Sequence, residues 1–144
     1  MRAWDATVFG NDNAVDWTYE FVEEENNQLS FISYTLDEVL DAPKGEFIEA
    51  EQGCYALAAA DVVARMLGRT GIRNEYTKNV DDWVAKHKIT PGKTVVSKAR
   101  KAVDRVSGED SELHQLWEDS GELHLWTAEL DGLRQRLAGP DSGE

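Results

Sequence analysis

The sequence predicts an all-α fold: a single compact domain of about six helices packed around a buried, alanine-rich central helix. Three observations carry this. Apolar residues recur at i, i+3 and i+4 along nearly the whole chain, rather than alternating as in strands. The segment YALAAADVVARMLG, residues 55–68, has only Asp61 and Arg65 as charges, so it is apolar nearly all round and belongs inside a bundle. The 144 residues contain no internal repeat and no linker long enough to divide them. A chain of that length can bury roughly 68 to 70% of its unfolded surface.

The first helix is expected from near Asp12, capped by Asn11 or Asp12, with Ala14, Trp17 and Phe21 on its buried stripe. It should fray in the acidic, Asn-rich stretch 23–28. The second carries Ile32, Leu36, Val39 and Leu40 and stops at the turn around Pro43 and Gly45. Thr35 and Glu38 also match a capping box, which would start that helix later. The central helix is expected over about 49–67, ending at Gly68, and a loop through Gly71 leads to a short helical turn over 81–86. Thr90 and Pro91 then offer an N-cap and a first-turn proline to a long helix with Val95, Ala99, Ala102, Val103 and Val106 inward, closed by Gly108. Two further helices follow, one burying Leu113, Leu116 and Trp117, the other Trp126, Leu130, Leu133 and Leu137. The domain is expected to span residues 1–137, with 138–144 as a disordered tail.

Hydrophobic residues make up 41% of the chain, with five Trp, four Phe and four Tyr, enough to build a core without a metal or cofactor, and none is expected. The lone Cys54 leaves no intrachain disulfide and no multi-cysteine zinc site. The opening MRAWDATVFG lacks the apolar run of a signal peptide, and no stretch of about 18 apolar residues could span a bilayer, so the expectation is a cytoplasmic protein with no membrane partner. Fifteen Lys and Arg against 28 Asp and Glu give a net charge of −13. That field repels nucleic acid and anionic membrane, attracts basic partners, and also keeps a protein soluble.

The N-terminal residues Trp4, Phe9, Asn11, Asp12, Ala14, Asp16 and Trp17 form the pattern WxxxxFxNDxAxDW. It resembles the opening signature of the bacterial domain of unknown function 4259 family. The alanine-rich segment 55–68 is similar to that family's central helix, and ELHQLWEDSGELHLWTAELDGLRQRL at 112–137 is similar to its closing pair of Trp-bearing helices. The resemblance implies a small helical domain and transfers no activity. Members usually carry Gly directly after the first Trp and again two residues later, where this chain has Asp5 and Thr7, so a tight glycine turn would be rebuilt here.

Asn11, Asp12, Asn13 and Asp16 place oxygen ligands within six residues, as a hard cation requires, but an EF-hand's glycine and closing glutamate are missing, Val22 standing at the twelfth position. Capping by Asn11 or Asp12, with Asp16 near the positive helix end, explains the same residues, so no metal site is expected. Trp4, Phe9 and Trp17 read as a hydrophobic clamp on the N-terminal arm. Asp61, a carboxylate in an apolar helix, must be paired, hydrogen-bonded or shifted in pKa. Its expected partner is Arg65, four residues on, or else a Trp indole or the capped N-terminal arm. Cys54 reads as a small buried hydrophobe, and His87, His114 and His124 lack the spacing of zinc ligands. No phosphate loop, dinucleotide fingerprint or serine elbow is present, so no catalytic residue is assigned.

The charge map is more informative. Lys86, Lys88, Lys93, Lys98, Arg100, Lys101 and Arg105 share a window with one acid, Asp104, whereas 109–131 holds eight acids and no Lys or Arg. Two readings follow. In one, the basic helix packs beside the acidic pair and they exchange weak surface salt bridges of about 0 to 1 kcal/mol each. In the other, Glu109, Asp110, Glu112, Glu118, Asp119 and Glu122 form a docking face for a basic protein partner. The function expected from this is a non-catalytic protein-binding module of the immunity or antitoxin type. The alternative is an enzyme or small-ligand sensor built on Asp61 and the segment 11–16. Nucleic-acid binding through 86–105 is disfavoured, because Trp83 is the only aromatic residue nearby and the net charge opposes it.

Overall fold

The computed structural model describes residues 5–24 and 27–138. Its helices are α1 (Asp12–Glu23), α2 (Gln28–Leu40), α3 (Ala50–Met66), α4 (Lys78–His87), α5 (Lys93–Ser107), α6 (Glu112–Ser120) and α7 (Leu123–Ala138). The predicted all-α class holds, with seven helices among the described residues against about six expected. α3 touches each of the other six helices, and residues 56–65 are buried without interruption. Its alanines let the neighbouring helices approach closely, and burial of side chains such as Val62 and Val63 contributes about 1.5 to 3 kcal/mol each. Trp4 and 139–144 lie outside the described residues, while the last helix runs one residue into the expected tail.

Asn11 caps α1, its side-chain oxygen accepting the Ala14 N–H at 2.8 Å. Ala14, Trp17 and Phe21 are buried, as the stripe predicts. Trp17 stacks on Phe21 and Phe31, and its indole N–H donates to the Thr35 hydroxyl at 3.0 Å. Thr35 in turn donates to the Phe31 carbonyl from the middle of α2, so it caps nothing. The later start considered for this helix is therefore corrected: Asn27 caps it, accepting the Ser30 N–H at 3.0 Å. Ahead of α1, the Asp5 carboxylate accepts both the N–H and the hydroxyl of Thr7, closing a side-chain turn where the family was expected to use glycines. Gly10 lies close beside it: a Cβ there would fall 1.9 Å from the Asp5 oxygen, so a larger residue would displace that carboxylate.

Three further expectations change. α4 is ten residues long rather than a turn, since its polar sequence hides the short stripe of Val80 and Trp83. α5 is capped by Gly92, not Thr90, and Pro91 is buried ahead of the helix instead of forming its first turn. Leu116 is 39% exposed, because α6 rests on the core through Leu113, with Trp117 only half-buried. The predicted inward residues of α7 (Trp126, Leu130, Leu133 and Leu137) are all buried.

Two loops are fastened together beside α6. The Ile48 N–H donates to the Asp110 carbonyl at 2.9 Å and the Glu112 N–H donates to the Ile48 carbonyl at 2.8 Å, forming a short parallel bridge between Ile48 and Ser111. Gly121, at φ +82, reverses the chain between α6 and α7 in a conformation that L side chains rarely adopt. No described helix is long and apolar enough to cross a membrane.

Candidate functional site

Asp61 sits in a buried ionic centre assembled from four parts of the chain. Arg65, one turn along α3, donates from Nε to Asp61 at 2.8 Å, from Nη1 to Asp81 on α4, and from Nη2 to the Ile72 carbonyl at 2.6 Å. Its guanidinium also lies 5.3 Å from the centre of the Phe9 ring. Arg136 on α7 approaches the other Asp61 oxygen at 3.4 Å. Asp81 accepts the Thr77 hydroxyl at 2.8 Å. Arg65's planar fork reaches two carboxylates and a carbonyl at once, which suits arginine rather than lysine to this position.

Glu129 is the third carboxylate here. It is half-buried on α7 and accepts the Val8 backbone N–H. Burial and the neighbouring Asp61 charge hold its pKa above the usual carboxylate range, with Arg136 and the Val8 N–H opposing. A cavity of about 10 Å³ lined by Phe9, Asp61, Arg65, Asn74, Thr77 and Glu129 has room for a single water. Both Asp61 oxygens face guanidinium groups, so the centre ties α3 to α7 directly and, through Arg65 and Asp81, to α4.

The N-terminal oxygen cluster disperses. Asn11 is spent on capping, Asp12 is half-buried in the first turn, and Asp16 is exposed. Among the described residues no three His, Cys, Asp or Glu groups converge as metal ligands. Burial pushes the Cys54 thiol up to about 12, so it stays protonated across the neutral range. His87 stacks on Trp83 and its Nδ1 lies 2.9 Å from the Trp83 carbonyl, while the His114 Nδ1 lies 2.9 Å from the Ser107 carbonyl. An open groove of about 950 Å³ runs past Glu23, Glu24, Asp82, Trp83, Lys86 and His87.

The acidic residues divide. Glu109, Asp110, Glu118, Asp119 and Glu122 are exposed, and among the described residues none forms an ion pair. Glu112 instead turns inward, its carboxylate accepting the Ala50 N–H at 2.8 Å to cap α3. Leu116 and Leu125, on the two arms of the same hairpin, are 39% and 48% exposed. Another acidic surface surrounds Tyr55, whose hydroxyl donates to Glu51 at 2.9 Å. Burial, Glu51, Glu20 and Asp16 push that phenol up to about 12.

Sequence reasoning found Asp61 and Arg65 through their four-residue spacing. It missed Asp81, Glu129 and Arg136, which reach the centre from distant helices and carry no local signal. A family model described as "Domain of unknown function (DUF4259)" matches residues 2–129. No curated protein and no solved structure matches the chain.

Proposed function

The chain belongs to the DUF4259 family, whose description assigns no activity, and we propose that it is a non-catalytic binding module of the immunity or antitoxin type. In this reading it works in the cytoplasm, and its acidic α6–α7 hairpin docks a basic protein. One observation carries the reading: Glu118, Asp119 and Glu122 of that hairpin, with Glu109 and Asp110 just ahead of it, are exposed and form no ion pair among the described residues, and the hairpin leaves two leucines outside the core. Exposed carboxylates speed encounter and select a basic partner, and apolar side chains released from water supply contact energy. The enzyme or sensor alternative finds less support, because Asp61 is occupied by two arginines and the adjoining space holds one water.

The test compares the wild-type chain with the triple variant Glu118→Lys, Asp119→Lys, Glu122→Lys, both immobilised and exposed to lysate of the source cells. A basic protein retained by the wild type should associate more slowly as salt rises and should be lost by the variant. Equal retention by both chains, or capture of an acidic protein alone, refutes the proposal. The variant should melt with the wild type, since these positions lie off the apolar stripe.

A further inference from the structure

The buried ionic centre has an output: the shape of loop 71–77. Arg65 holds the Ile72 carbonyl from below, and a Cβ on Gly71 would meet the Arg136 guanidinium at 2.7 Å, so the loop lies flat on a second arginine. Within the loop, the Asn74 N–H donates to the Thr77 hydroxyl, the Tyr76 N–H to the Asn74 side chain, and the Thr77 N–H to the Asn74 carbonyl. Outward, the loop presents Ile72, 49% exposed, with Arg73 and Glu75 exposed beside it and neither in an ion pair among the described residues. Buried ion pairs add little net stability over apolar side chains of the same volume. Their more distinctive effect is to fix one conformation, and a fixed loop with an exposed aliphatic and an arginine is a ready anchor for binding.

The loop lies on the same flank as the hairpin. Leu125, Glu129, Gly132 and Arg136 follow each other at four, three and four residues along α7, so they form one stripe. Its far end, Arg136, touches Gly71, and Glu129 and Ile72 line a common cavity. Eleven residues of helix separate Leu125 from Arg136 by about 16 Å, well within the footprint of an ordinary protein interface.

We propose that loop 71–77 is the second anchor of the docking surface, so that one partner spans from the acidic hairpin along α7 to Ile72 and Arg73. This rests on the binding-module reading. The charges set the partner's chemistry and its direction: basic side chains over Glu118, Asp119 and Glu122, an apolar side chain against Ile72, and a carboxylate for Arg73.

The test selects peptides from a random twelve-residue phage library against the immobilised full chain and measures their dissociation constants on three variants. Ile72→Ala with Arg73→Glu alters the loop, the hairpin triple reversal alters the acidic end, and Lys101→Glu on α5 is the control. The expected result is a basic consensus containing an acidic and an apolar position, weakened at least tenfold by both the loop and hairpin variants and unchanged by the control. Loss on the hairpin variant alone overturns the second anchor and leaves the binding-module reading standing. Loss on the loop variant alone overturns the hairpin reading and, with it, the spanning partner. Enrichment of no peptide, or equal loss on the control, overturns both. Separately, amide exchange in 71–77 as fast as in an unstructured chain would overturn the preorganised loop.

Discussion

Replacing Arg65 with Met keeps the aliphatic stem and removes every hydrogen bond of the guanidinium. Asp61 would retain only Arg136 at 3.4 Å, and Asp81 only the Thr77 hydroxyl at 2.8 Å, so two carboxylates would be left with too little positive charge in a buried setting. Breaking a buried pair from one side costs about 3 to 5 kcal/mol. Unfolding 144 residues releases about 0.3 kcal/mol per kelvin near the midpoint, which converts that cost into a Tm lower by about 10 to 17 °C. Thermal unfolding followed by circular dichroism at the helix band reads this directly. A second variant separates lost charge balance from lost packing: Asp61→Asn, Arg65→Met, Asp81→Asn removes all three charges and should recover at least half of the loss. A single variant within about 1 kcal/mol of wild type, or a triple variant no more stable than the single, would refute the argument.

Three shorter predictions concern other buried groups. The Glu129 pKa is raised in the folded chain, so its contribution to stability is fully present below the ordinary 4.5 and is lost as pH rises through the raised value; Glu129→Gln should flatten that part of the stability–pH curve, and an unchanged curve would contradict the assignment. Thr35→Val removes the acceptor of the buried Trp17 indole and should cost about 1 to 3 kcal/mol in denaturant titrations, whereas Thr35→Ser should restore most of it. Cys54, with its thiol held near 12, should resist an aromatic disulfide reagent at pH 8 in the native chain and react fully in denaturant.

Local signals were the legible ones. The 3.6-residue stripes of α1 and α7 named their buried apolar residues, though not the buried Thr18, because amphipathicity is written within a few turns. Asn11 as a cap and Asp61 with Arg65 were also readable, each relation spanning three or four residues. What needed the fold was long-range: Arg136 reaches Asp61 across 75 positions, and Glu112 caps α3 across 62. Glu112 illustrates the limit, since its sequence neighbourhood is a uniform run of surface acids and only the Ile48 bridge turns it toward the Ala50 N–H. Leu116 errs in the opposite direction, because hydrophobicity alone does not tell whether a short peripheral helix has core to cover it.

The pattern of charge use bears on how the hairpin could act. If the basic α5 neutralised the acidic hairpin, its cations would pair with α6 and α7, both of which it touches. The pairs that form run the other way: Arg134 of α7 binds Asp104 of α5 at 2.8 Å, and Lys98 turns to Asp37 of α2. Lys93, Arg100 and Lys101 are exposed and form no ion pair among the described residues. The separation of charge seen in the sequence therefore persists in the fold, and its field extends into solvent with a range of about 10 Å at moderate salt. Such a field governs approach and orientation more than affinity, because exposed pairs contribute at most about 1 kcal/mol each. In the proposed binding reading, lasting attachment would come from apolar contact, with Leu116, Leu125 and Ile72, all partly exposed, in the energetic role and the carboxylates in the kinetic one.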